Sequence, residues 1–368
     1  MDLTAIEQYW VWLSSVEGIG PSRFYQLIGD YGDPQKVWDS VGDPGMKFLG
    51  ASALRKLKEA RDERYFYALF NQLEKAGVRA ITRDSALYPQ RLLNIYDPPP
   101  VLYTLGECDL NPARSIAIVG SRRCTRDGQR AAREIAETLA REEVTVVSGM
   151  AYGIDAAAHV GALIGMGNTV AVLGCGADVV YPRQHAELYR RILDNGGAVV
   201  SEYVPGTQPR PGNFPARNRI ISGMSEGVLI VEGAERSGAM ITVNDAADQN
   251  RDVFAVPGSI YSPLSAAPNR LIVEGANPVL SGWDILEHYR WAARPDARQS
   301  APRNRIELSP EDDQIVKPLL EQELSFDELA NLVDFPIAKL NSHLTMLELR
   351  GIIVKVPGGL YRAYLSNS

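Results

Sequence analysis

Short apolar runs recur through the middle of the chain: SIAIVG (115–120), VTVVSG (144–149), TVAVLG (169–174), AVVSEY (198–203), GVLIVEG (227–233) and VFAVPG (253–258). They are rich in β-branched residues and apolar throughout, not alternating. A strand covered on one face alternates; a strand apolar along its length is buried on both, as in a parallel sheet with helices on either side. Helical patterning fills the intervals, at Asp127–Glu142, Ile154–Met166, His185–Asp194 and Ala239–Asn250. The alternation predicts an α/β fold with a Rossmann-like, doubly wound, mostly parallel sheet. Ligands of such sheets lie beyond the carboxyl ends of the strands, and there the glycines and arginines of this chain collect.

The flanks follow other patterns. Residues 1–77 read as helices, with a Gly18-Ile19-Gly20 turn ahead of a helix opened by Pro21 and one long helical stretch, Ala51–Ala76, ended by Gly77. Pro98-Pro99-Pro100 imposes an extended connection. Polar, proline-bearing sequence at 294–310 reads as a linker. Beyond it, three short helices and a hairpin turned at Pro357–Gly359 make a winged-helix pattern. The expected domains are 1–77 (helical), 78–293 (Rossmann-like), 294–310 (linker) and 311–368 (winged helix).

Composition narrows the class. The chain has 368 residues, 45% hydrophobic and 23% charged, enough for more than one globular core. Its longest apolar runs, such as Val228–Val231, are far short of the ~18 residues a membrane span needs. The first fifteen residues lack a basic, cleavable leader pattern, and three scattered cysteines form no metal-binding or disulfide framework. These features lead us to expect a cytoplasmic protein with neither metal nor cofactor. The net charge of −7 argues mildly against nucleic acid, but its distribution reverses the argument. Arg114–Arg133 has a net charge of +5 and Arg183–Arg219 of +3, while Ile306 to the end carries −5.

Candidate chemistry lies in the basic stretches. Gly120-Ser121-Arg122 follows the first parallel strand, where backbone N–H groups and the next helix N-terminus favour an anion and an arginine fork suits phosphate. Neither GxGxxG nor a Walker A motif is present. Arg130 and Arg133 read as a solvated helix face. Asp155 and His159, four apart, could form an acid–base pair, but no nucleophile or metal-spaced partner accompanies them, so a helix cap and a hydrogen-bonded histidine is the better reading. Arg183 precedes a helix. Arg210, Phe214, Arg217, Asn218 and Arg219 crowd one segment, and arginines interleaved with aromatics are how single strands are held. Residues two apart on a helix diverge by roughly 200°, so Arg217 and Arg219 cannot both face one ligand, and one is expected to be structural.

Gly120-Ser121-Arg122, SGMAYGIDAAAH, AVLGCGADVVYP, FPARNRIISGMS, SGAMIT, VFAVPGS and PNRLIVEGA occur in this order. Together they resemble the DNA processing protein A (DprA, or Smf) family over about 81–286. The resemblance implies a non-enzymatic protein that binds single-stranded DNA, often as a homodimer through the Rossmann-like domain, and loads the recombinase RecA in natural transformation or recombination. It places DNA contacts at Gly120, Ser121, Arg122, Arg183, Phe214, Arg217, Asn218 and Arg219, with Arg210 standing beside Pro211 where some relatives carry a lysine. It likens the N-terminal helices to a helix-hairpin-helix or SAM-like extension. The acidic winged helix fits a protein-contact or regulatory role better than duplex binding. The competing reading is a phosphoribohydrolase-like, nucleotide-binding enzyme on a related fold. Its Pro-Gly-Gly-x-Gly-Thr signature is missing, the corresponding place reading VPGSIYSP. A transcriptional regulator acting through the winged helix is disfavoured by the acidic tail.

Overall fold

The structure is a computed structural model that describes residues 3–294, 309–333, 335–349, 352–356 and 359–363. The chain divides into two compact units, 1–294 and 295–368.

In the first unit the six apolar runs form six strands: β3 (Ser115–Val119), β4 (Thr145–Ser148), β5 (Thr169–Leu173), β6 (Ala198–Ser201), β7 (Gly227–Ile230) and β8 (Asp252–Ala255). Two antiparallel strands precede them, β1 (Arg79–Thr82) and β2 (Val101–Gly106), and a two-residue strand, β9 (Asn277–Pro278), follows. The order across the sheet is β1-β2-β6-β5-β4-β3-β7-β8-β9, and β6 through β9 are mutually parallel. The chain winds from β3 towards β6 in one direction and from β7 towards β9 in the other. The junction of β3 and β7 is therefore the topological switch point, where a crevice opens between diverging loops.

Burial explains why the runs are largely apolar. Every residue of β3, β4, β5, β6 and β7 is buried. Ile116 and Ile118 pack with Ile135, Leu139 and Ala158 of the helices Arg126–Arg141 and Ile154–Ile164. Ala117 and Val119 pack with Ile220, Ile221 and Val243 of the helices Asn213–Gly223 and Gly238–Asp248 on the other face.

The N-terminal helices are Ala5–Ser15, Pro21–Tyr31, Pro34–Asp39, Gly50–Ala60 and Glu63–Ala76. The single helix expected over Ala51–Ala76 is two, because Asp62 accepts hydrogen bonds from the N–H groups of Arg64 (2.7 Å) and Tyr65 (3.2 Å) and starts a new one. Gly77, left-handed at φ 64°, ends it as expected. Trp12, Phe24 and Leu57 share one apolar cluster with Tyr103, Leu173 and Val199 of the sheet. None of the described helices is long and apolar enough to cross a membrane.

The second unit has helices Pro310–Glu321, Phe326–Leu332 and Ile337–Leu349 and a three-stranded sheet of Leu324–Ser325, Leu360–Ala363 and Ile353–Val356, around Leu319, Leu329, Leu344 and Tyr361. This is the winged-helix arrangement of the sequence pattern. Nearly all of the 294–310 linker, and Pro357 and Gly358 of the hairpin turn, lie outside the described residues.

Candidate nucleic-acid interface

The helix Asn213–Gly223 is a partition with a cleft on either side. Arg217 points into one and Arg219 into the other, as their spacing requires. Pro215 sits in the first turn, where its missing N–H costs no helical hydrogen bond.

Arg217 is 4% exposed. Its Nη1 donates to the carbonyls of Gly149 (2.8 Å) and Val172, and its Nε to Asn218 Oδ1 (3.3 Å). Its Nη2 makes no hydrogen bond among the described residues. The guanidinium fits because a glycine follows β4: a Cβ on Gly149 would stand 2.7 Å from Nη2. Burial pushes Arg217 down to about 10, opposed by the carboxylate of Asp155. Burial likewise pushes Asp155 above the usual carboxylate range, against the pull of Arg217. Arg219 is engaged differently, donating to Asp97 Oδ2 (2.9 Å) from Nε and to Glu202 Oε2 (2.6 Å) from Nη2. Both arginines are thus tied to protein groups, Arg217 in the floor of its cleft and Arg219 as a clamp on the loops after β6 and before β2.

The cleft on the Arg217 side, about 740 Å³, lies at the β3/β7 switch point. It brings together Gly120, Ser121, Arg122, Phe214, Arg217 and Asn218, with Arg123 and Tyr181 beside them. Arg122 Cζ stands 5.7 Å over the Phe214 ring, which is tilted 32° against Tyr181 at a centroid distance of 5.3 Å. Among the described residues, Arg122 and Arg123 have no carboxylate partner within ion-pair distance, and both are exposed. Tyr181 is exposed and Phe214 half-buried; accessible rings beside guanidinium groups can stack bases and hold phosphates.

Two expected residues lie elsewhere. Arg183 is exposed, two residues after the cleft-lining Tyr181, but lines neither cleft. Arg210 lines the opposite, larger cleft of about 970 Å³ and pairs with Glu17 at 3.1 Å. Glu17, Asp97, Glu202, Asp245 and Asp248 outnumber Arg210 and Arg219 there, so the lining of that cleft is predominantly acidic.

The expected anion position at the N-terminus of Arg126–Arg141 is filled from within. The Glu232 carboxylate accepts hydrogen bonds there from Thr125 N–H (2.8 Å) and Thr125 Oγ1 (2.6 Å). Sequence reasoning also passed over Ser237, Gly238, Ala239 and Thr242, which open the helix Gly238–Asp248 and line the same cleft. A strand–glycine–helix signal was present at GVLIVEGAERSGAMI, but nothing local says that this turn faces the one after β3.

Asp155 and His159 do not pair as acid and base. His159 Nδ1 is 2.7 Å from Thr169 Oγ1, whose hydroxyl donates to Val146 O, and Asp155 accepts from Ala151 N–H. Burial pushes His159 down to about 3. A folded-state pKa below the unfolded value near 6.5 means stability is fully present above 6.5 and is lost as pH falls towards 3. Replacing His159 by leucine is expected to flatten the fall of the urea midpoint between pH 6.5 and 4. An unchanged pH profile in His159→Leu would contradict the assignment.

Three comparisons bear on this arrangement. The family model described as DNA recombination-mediator protein A matches residues 79–290, and that of the DprA winged helix domain matches 299–359. Protein Smf of Escherichia coli is 40% identical over 299 residues, 79% of each chain. The X-ray structure of DNA processing protein A from Streptococcus pneumoniae superposes with a TM-score of 0.65 at 35% identity, covering 78% of this chain and 98% of that one. DNA processing protein A from Helicobacter pylori, from a study of its single-stranded DNA binding mode, superposes with a TM-score of 0.53 at 27% identity, covering 58% and 97%.

Proposed function

This chain belongs to the DNA recombination-mediator protein A family, and on that premise we propose that it is a single-stranded DNA-binding protein of DNA processing in natural transformation or recombination, which loads RecA onto the strand without itself catalysing a reaction. The observation that carries the reading is the cleft at the switch point. Arg122 stands over the Phe214–Tyr181 ring pair and Arg123 lines the same cleft, neither with a carboxylate partner among the described residues, and the Arg217 guanidinium is the floor. A single strand presents phosphates and unstacked bases together; a duplex hides its base faces. Arg183, exposed two residues after the cleft-lining Tyr181, is read as a further phosphate contact outside the cleft, and Arg219 braces the helix that carries Phe214.

RecA acts in the cytoplasm, where this reading places the protein. The segments that follow β8 and flank β9 expose Ile260, Tyr261, Val273 and Leu280 by more than four-fifths each, and exposed apolar side chains of that kind suit a homodimer through the Rossmann-like domain. The acidic winged helix is read as a protein-contact element. The 1–77, 78–293, 294–310 and 311–368 division is retained as the functional partition, with the site in the second part.

The test is a titration of oligo(dT) against a duplex of equal length from 50 to 300 mM salt, with and without RecA, and with Phe214→Ala in parallel. Loss of a stacked base costs about 1–3 kcal/mol. Phe214→Ala is therefore expected to weaken binding roughly tenfold while leaving the salt slope unchanged. Equal affinity for duplex, or release of free base from a nucleoside monophosphate, would favour the enzyme or regulator readings instead.

A further inference from the structure

The loop that carries Arg122 and Arg123 is gripped at both ends by one residue. Glu232 follows β7, on the far side of the switch point from the loop. Its backbone carbonyl accepts the N–H of Ser121 at 2.7 Å. Its carboxylate, in a residue only 9% exposed, accepts the N–H and the hydroxyl of Thr125 at 2.8 and 2.6 Å. Thr125 in turn accepts the N–H of Gly128 at 2.9 Å and so caps the helix Arg126–Arg141. Between the two anchors, Ser121 Oγ accepts the N–H of Arg123 at 3.1 Å, which sets the turn.

The same carboxylate occupies a place of known electrostatic character. The helix following the first strand at a switch point presents free N–H groups and the positive end of its dipole, and in doubly wound sheets this is where nucleotide phosphate sits. Here a carboxylate of the chain stands against that first turn. Gly128 makes this possible, since any Cβ there would overlap the Glu232 carboxyl group.

We propose that Glu232 is the positioning and specificity residue of this site: it fixes the Arg122–Arg123 loop from both ends and, by filling the phosphate position with the protein's own anion, turns the crevice from mononucleotides to a strand held by side chains. The positioning half rests on the single-strand reading of the cleft; the anion-filling half stands without it.

Two measurements separate the halves. In thermal melts at constant ionic strength, 20 mM inorganic phosphate or acetate is expected to raise the melting temperature of Glu232→Ala by several times as much as that of the wild type. An equal response of both proteins overturns the anion-filling half. In oligo(dT) titrations, Glu232→Ala is expected to lose about tenfold in affinity, and acetate replacing chloride should recover most of it in that variant alone, a rescue that general loosening of the fold would not give. Wild-type affinity in Glu232→Ala, or a loss that acetate leaves untouched, overturns the positioning half. Glu232→Gln keeps the size but offers one acceptor to two donors, so should the alanine variant fail to fold, a severalfold loss of affinity is expected in the glutamine variant, and none would overturn the proposal. If the wild type itself fails to bind oligo(dT), the single-strand reading falls while the melts still decide the role of Glu232.

Discussion

Replacing Arg122 and Arg183 together by alanine is expected to weaken oligo(dT) binding by at least about a hundredfold at low salt, because each charge-assisted contact contributes about 1.5–3 kcal/mol. The slope of log affinity against log salt should shallow by about 1.4, since each phosphate contact on a single strand releases ~0.7 counterion. Both side chains are exposed and without a carboxylate partner among the described residues, so the melting temperature should stay at the wild-type value. The single variants add a finer expectation. Arg122 stands in the cleft over Phe214 while Arg183 lines neither cleft, so Arg122→Ala should account for most of the loss. Unchanged affinity and slope in the double variant would remove the cleft from consideration as the DNA site.

Arg217→Ala is expected to act on the fold first. Its guanidinium satisfies the buried carbonyls of Gly149 and Val172 and offsets the buried Asp155. Removing one member of a buried charged network costs about 3–5 kcal/mol, mostly through what is left unpaired. A drop of that size in unfolding free energy at pH 7 would be read from urea denaturation. The pH dependence carries a sign. The folded-state pKa of Asp155 is already raised by burial, and loss of Arg217 raises it further. A raised carboxyl contributes stability that is fully present below its unfolded value and lost as pH rises through its folded value. The deficit of Arg217→Ala should therefore be smallest in the ordinary carboxylate range near pH 4 and widen towards neutrality. Wild-type stability at pH 7, or a deficit independent of pH, would show that the arginine is not the counter-charge of Asp155.

Much of the scaffold was legible along the chain. The six parallel strands announced themselves because burial on both faces leaves each run largely apolar, its few polar positions being mostly small Ser and Thr, and that is a local property of each run. The helix stop at Gly77 was legible because its left-handed backbone suits glycine. The break at Asp62 was not foreseen, since a capping aspartate inside a continuous helical pattern looks like any exposed polar residue until its hydrogen bonds are seen. Helical geometry separated Arg217 from Arg219, but their partners, Gly149, Val172, Asp97 and Glu202, come from other elements. Arg210 shows the limit most plainly: its neighbour Glu17 is 193 residues away in sequence.

What the sequence determined by itself is the set of parts: which runs are strands, where the glycine turns fall, and which stretches carry unbalanced positive charge. These follow from burial and backbone geometry within a few residues. Which turns face one another was decided only by the order of strands in the sheet. Placing β3 beside β7 opens the crevice, carries Glu232 to Thr125 at the helix N-terminus, and leaves Arg122 and Arg123 at the crevice with no carboxylate partner among the described residues. An arginine's availability depends on whether a carboxylate lies within a few ångströms, and that distance is set by tertiary packing, not by neighbours along the chain.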